Sequence, residues 1–201
     1  MLAVAAADSA LEASRGLEPL EEAKARVARS RHLLSLGDLD GARADARVAL
    51  TLAHELENPA LLASAALELG RGLLAGENIE AALEALAETA LACGRMGSLQ
   101  NALELAVRRA LTTLEWSEAE VAHPELDALF ASALESASLP PASSARVALA
   151  WAASAMSEGR FTEARTRLTH ATSLAQRHDL RLGHERERLT QELARREGDR
   201  A

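Results

Sequence analysis

Apolar residues recur along most of this chain at intervals of three and four, the spacing that aligns side chains on one face of a helix. The stretch from Ala60 to Gly94 shows it most clearly: ALLASAALELGRGLLAGENIEAALEALAETALACG. Leu69, Leu73 and Leu74 mark one arm, and Ile79, Ala82, Leu83, Leu86 and Ala90 mark the other. Between them Gly76-Glu77-Asn78 reads as a tight turn. Neither stripe can be buried by its own helix, so the pattern predicts antiparallel pairs that stack on further pairs.

Three other segments echo this one. Each predicted turn places a bulky apolar residue three positions before an alanine: Leu39/Ala42, Ile79/Ala82, Trp116/Ala119 and Phe161/Ala164, at intervals of 40, 37 and 45 residues. The bulky residue is expected to plug the closed end of the pair, and the alanine to let the second helix approach the first. Nine residues upstream of the plugs stand Ser30, Gly70, Val107 and Ala152, and seven downstream of the alanines stand Ala49, Thr89, Leu126 and Ala171. The third repeat is the most degenerate.

The expected fold is an all-α solenoid of antiparallel helix hairpins, a single domain over 1–201. A leading helix over 1–16 ends at Gly16; repeats follow over 19–57, 60–94, 98–136 and 144–177, and a capping helix over 181–197 closes the chain. Pro19 suits the first turn of a helix, Ser98 an N-cap, and Pro124 a helix break. The run from Ser138 to Ser144 reads as a loop.

Composition fits this expectation. The chain is rich in Ala, Leu, Glu and Arg, lacks Tyr, and has two Trp, two Phe and five Pro. Such residues favour close-packed helices over a sheet, which draws on branched and aromatic side chains. The net charge of −8 disfavours a direct nucleic-acid role. A single cysteine, Cys93, excludes an internal disulfide framework and fits a reducing compartment. The apolar opening stops at Asp8, too short to span a membrane and without a basic flank. A cytoplasmic protein, or a piece of one, is expected.

With Leu69-Gly70, Leu73, Ile79 and Ala82, and again Gly159, Phe161, Ala164 and Ala171, the chain resembles the tetratricopeptide-repeat family, whose unit is a stacked helix–turn–helix. The likeness covers roughly 21–177. It departs from that family in its longer units, in first helices carrying Ala or Leu for aromatics, and in lacking the closing proline. In this it is similar to helical-repeat regions of large bacterial transcription regulators and cyclase sensors.

The resemblance implies a right-handed array that binds a peptide or partner protein in a concave groove, usually without catalysis. Carried over residue by residue, the groove-facing positions are Lys24, Val27, Arg31 and Leu34; Ser64, Leu67, Arg71 and Leu74; Asn101, Glu104, Arg108 and Leu111; and Arg146, Leu149, Ala153 and Met156. The expected partner-binding residues are therefore Lys24, Arg31, Arg71, Asn101, Arg108 and Arg146. A ladder of guanidinium forks grips carboxylates two bonds at a time, which points to an acidic peptide or a C-terminal carboxylate. The competing explanation is that these arginines pair with neighbouring Glu. A second function class is the effector-sensing or oligomerisation domain of a bacterial regulator, and exposed repeat ends would favour self-association.

Catalytic patterns are weak. Gly70-Arg71-Gly72-Leu73-Leu74-Ala75 matches GxGxxA, but it lies inside a helix with no preceding strand, so no phosphate-cradling turn forms and close helix packing at Gly70 explains it. No Walker lysine exists, because Lys24 is the only lysine. His170, His178 and His184 lack ligand spacing for zinc. Cys93 reads as a packed thiol. Glu21-Glu22 and Glu185/Glu187 read as solvated charge. In the arginine-rich C-terminal run, Leu182, Leu189 and Leu193 form a narrow stripe on a salt-bridged helix. No metal, no cofactor and no enzyme activity are expected.

Overall fold

The computed structural model describes Ser9, residues 18–116, 124–135 and 139–198. The fold is an all-α solenoid of antiparallel helix hairpins, with nine helices and no strand among the described residues. They are α1 (Pro19–Ser35), α2 (Leu39–Glu55), α3 (Pro59–Ala75), α4 (Ile79–Arg95), α5 (Leu99–Trp116), α6 (Pro124–Glu135), α7 (Pro141–Ser157), α8 (Phe161–His178) and α9 (Gly183–Gly198). Packing divides the chain into two compact units, Met1–Leu105 and Ala106–Ala201, with α5 running through the boundary. Apart from Ser9, which is helical, the expected leading helix over 1–16 lies outside the described residues.

One local device sets the repeat. Helices α1 to α4 and α7 are each 17 residues long, and three-residue turns follow them. The middle residue of each turn is left-handed: Gly37, Glu57, Glu77, Gly97 and Gly159. The next N–H then reaches back five residues, from Asp38 to Leu33, Asn58 to Ala53, Asn78 to Leu73, Ser98 to Cys93 and Arg160 to Ala155, at 2.8–3.0 Å. This closes the old helix while that same residue opens the new one. The side chains of Asp38, Asn58 and Asn78 accept from the N–H three residues on, at Gly41, Leu61 and Ala81. The Ser98 carbonyl accepts from Ala102 N just as those of Asp38, Asn58 and Asn78 accept four residues on, while its Oγ accepts from Asn101 Nδ2.

In the first unit α1 packs on α2, α2 on α3, α3 on α4, and the two first helices α1 and α3 lie side by side. Helix α1 buries a single stripe of Ala23, Val27, Ser30 and Leu33. Helix α3, with neighbours on several sides, buries ten of its residues, among them Leu61, Leu62, Leu69 and Leu73. Ala42, Ala82 and Ala164 are all buried, as the pattern requires, and so are Ala49, Thr89 and Ala171. Ser30, nine residues before Leu39, is buried and donates to the Ala42 carbonyl at 2.8 Å across the α1–α2 crossing. Leu39, Ile79 and Phe161 are the first residues of their helices and are half-buried.

In the second unit α6 packs on α7, α7 on α8, and α9 on both α7 and α8. Helix α9 thus meets the last hairpin as α3 meets the first. It buries Leu189 and Leu193 and leaves most of its charged residues exposed or half-exposed. Arg165 reaches Glu197 at 2.6 Å, and Arg196 Nη1 donates to the Met156 carbonyl.

Three sequence expectations are corrected. Trp116 is the last residue of α5, not a plug at the head of a second helix, and Pro124 holds that first position in α6. The expected Trp116-Ser117 turn, and Ala119, fall largely in 117–123, outside the described residues. Helix α7 begins at Pro141, inside the predicted 138–144 loop, because a proline at the first helical position loses no hydrogen bond and has its φ already set. Gly70 is not the tight glycine: a Cβ there would meet Leu86 at 3.5 Å, ordinary contact, whereas at Gly72 it would fall 2.9 Å from Arg43 Cγ and 3.5 Å from Leu34.

Candidate functional site: a buried carboxylate beneath two arginines

Helix periodicity places residues 31 and 71 at the same level. Each is the twelfth residue beyond its helix start, Pro19 or Pro59. Because α1 and α3 are neighbours, and Gly72 lets α3 close on Leu34, the two arginines converge on Glu68. Glu68 is 1% exposed, while the side chains of Arg31 and Arg71 are 65% and 49% exposed. Its Oε1 accepts from Arg31 Nε at 2.9 Å and from Arg71 Nη1 at 2.9 Å, with Arg31 Nη2 at an ion-pair distance of 2.8 Å. Its Oε2 is buried with no hydrogen-bond partner.

A lone buried carboxylate is costly, and paired cations offset that cost. One is enough for neutrality. The second leaves this cluster with a surplus positive charge on the solvent side. Lys24 lies two turns before Arg31 on the same face, exposed and paired with Glu21 at 2.8 Å. Half-buried Leu34, Leu67 and Leu74 flank the arginines at helical spacing.

The other expected partner-binding residues are placed differently. Asn101 is half-buried in the first turn of α5, tied to Ser98 at 2.8 Å. Arg108 and Arg146 are exposed and belong to the second unit. The helix starts also move the third rung. Counted from the start of α5 at Leu99, Leu111 holds the position in its own helix that Arg31 and Arg71 hold in theirs, and Arg108 the position that Glu68 holds in α3. In α7, Leu149, Ala153 and Met156 are fully buried, so only Arg146 of that set faces solvent.

Two carboxylates escaped the sequence reasoning. Glu68 is one; the other is Asp45 on α2, buried and held by Arg26 at 3.0 Å and Arg29 at 3.4 Å. A signal existed for both. Asp45 falls at the helical spacing of the buried Ala42, Ala46 and Ala49, and Glu68 is the single acid in the apolar run of α3.

Cys93 is buried, its Sγ 3.5 Å from the Pro59 carbonyl, and burial pushes the thiol above its ordinary range. Among the described residues no group of three or more His, Cys, Asp or Glu is placed to hold a metal, and no helix is long and apolar enough to cross a membrane. No protein-family profile matches the sequence, and no curated protein is significantly similar to it.

Proposed function

We propose that this chain is a non-catalytic interaction module, a divergent relative of the tetratricopeptide repeats, that binds an acidic peptide or protein segment on the α1–α3 face of its first unit. It serves a scaffold or sensor role in which the bound segment is the signal. One observation supports this most: Lys24, Arg31 and Arg71 present exposed cationic groups on neighbouring first helices in a chain of net charge −8. Positive charge gathered on one face of an acidic protein steers acidic partners there and repels them elsewhere.

The test is neutralisation that keeps the fold. Lys24→Gln with Arg71→Gln leaves Arg31 on Glu68. Binding of an acidic peptide, followed by fluorescence anisotropy at low and moderate salt, should weaken at least tenfold and lose much of its salt dependence. Arg146→Gln, in the second unit, should change it little. Unchanged affinity in the double variant would overturn the assignment of this face.

A further inference from the structure

Building on the proposed acidic-partner face, we infer that Glu68 is a positioning residue that turns Arg31 and Arg71 into one preorganised receptor for a single oxyanion group, a carboxylate or a phosphate. Long arginine side chains on a surface ordinarily sample many rotamers, and a ligand that orders them must offset that entropy. Here a buried oxygen already fixes both. Arg31 donates Nε to Glu68 and sets Nη2 at ion-pair distance, and Arg71 donates Nη1. Arg31 Nη1 and Arg71 Nε and Nη2 are not engaged by Glu68, and these two side chains are the exposed members of the cluster. The two arginines come from different hairpins, so the receptor exists only where the repeats stack. One carboxylate against two guanidiniums leaves a net positive site for one incoming anion. Bidentate geometry makes guanidinium pairs selective for planar or tetrahedral oxyanions.

Glu68→Gln separates positioning from simple attraction, because the two make opposite demands. The substitution keeps size and one acceptor oxygen, and it removes a negative charge from beneath the site. If long-range attraction alone held the anion, affinity would rise. If Glu68 positions the arginines, affinity falls, by about tenfold for two side chains that must now be ordered on binding. Three probes would be titrated against wild type and variant: acetyl-hexaglutamate amide, the same peptide with a free C-terminal carboxylate, and inorganic phosphate. The preferred probe tells side-chain carboxylate, terminal carboxylate and phosphate apart.

A ligand-free readout accompanies them. The Arg31 Nε–Hε heteronuclear NOE should report a rigid group in wild type and a mobile one in Glu68→Gln, with the melting curve confirming that both proteins are folded. A mobile Arg31 in wild type overturns the proposal. So does equal or tighter binding of the probes by Glu68→Gln, which leaves the broader acidic-partner assignment standing. A wild type that binds none of the probes overturns both.

Discussion

The two units solve the same problem of buried charge with opposite stoichiometry. In the first, one buried carboxylate, Glu68, is shared by two arginines that lean out to solvent. In the second, one arginine, Arg160 at the head of α8, is surrounded by three carboxylates. It reaches Asp127 at 2.6 Å and Glu158 at 2.9 Å, and also bonds Glu163. Beside them Arg167 stacks 3.5 Å over the buried Trp151 ring, and Phe130 lies 6.3 Å from that ring. Burial is the first influence on both Asp127 and Arg160. It pushes the Asp127 carboxyl up, against the pull of Arg160, and it works against the Arg160 charge, yet Asp127, Glu158 and Glu163 hold that guanidinium above its ordinary range. The first cluster ends with surplus positive charge facing water. The second ends with one partly exposed cation shared by three carboxylates, a fastening between α6 and the α7–α8 hairpin. The same residue types therefore leave a cationic surplus in one place and an anionic one in the other, depending on which sign is outnumbered.

The largest expected break is in the first unit. Arg31→Met with Arg71→Met strips Glu68 of both cations, and an uncompensated buried carboxylate should cost about 3–5 kcal/mol in urea unfolding. Adding Glu68→Met should recover most of the loss, since an apolar trio of similar volume needs no partners. In the second unit Arg160→Met leaves Asp127, Glu158 and Glu163 facing one another. Because Arg160 is partly solvated, the loss should be smaller, about 2 kcal/mol at pH 7. It should shrink on acidification: the raised Asp127 carboxyl takes up a proton more readily folded than unfolded, so stability is regained as pH falls through its folded value.

A third comparison uses two glycines one turn-fraction apart on α3. Gly70→Ala should stabilise by about 0.5–1 kcal/mol, because alanine is the better helix former and Leu86 leaves it room. Gly72→Ala should destabilise and loosen the arginine pair, because the new methyl meets the stem of Arg43. Paired melting curves decide it; the same sign for both would sink the account of α3 packing.

Smaller still is the pH response of α9. Hydrogen bonds from Arg195, with burial opposing and Arg196 assisting, hold Glu192 down to about 2. A depressed carboxylate lends stability that is complete above its unfolded value and is lost as pH falls from about 4.5 towards 2. Hydrogen exchange in α9 should quicken over that window in wild type and much less in Glu192→Gln. The smallest effect is expected at Glu77, held left-handed at φ 58°, where Gly should raise stability by roughly 0.5 kcal/mol by removing backbone strain.

The helical pattern was legible because it is local. Spacing of apolar residues, Pro19 at a helix start and the turn residues Gly37, Asn78 and Gly159 fix helices and their ends within a few residues of chain, and those elements appear in the structure. So does the close-packed alanine at the second helix of each well-formed pair, at Ala42, Ala82 and Ala164. What failed locally failed for a local reason: Trp116 resembled a plug but ends α5, and counting back from it set the third group of groove positions three residues out of register with the α5 start at Leu99.

The candidate site was half legible. Arg31 and Arg71 followed from the repeat, since equivalent positions on stacked helices share a face. That they converge on Glu68, an acid three residues from one and 37 from the other, is a property of how α1 lies against α3. The sequence by itself determined where the helices run, how long the repeat is and which faces are apolar, because backbone hydrogen bonds and side-chain periodicity act over one or two turns. Only the tertiary structure decided which charges are buried and which face water, because desolvation depends on what packs overhead, and that comes from chain distant in sequence.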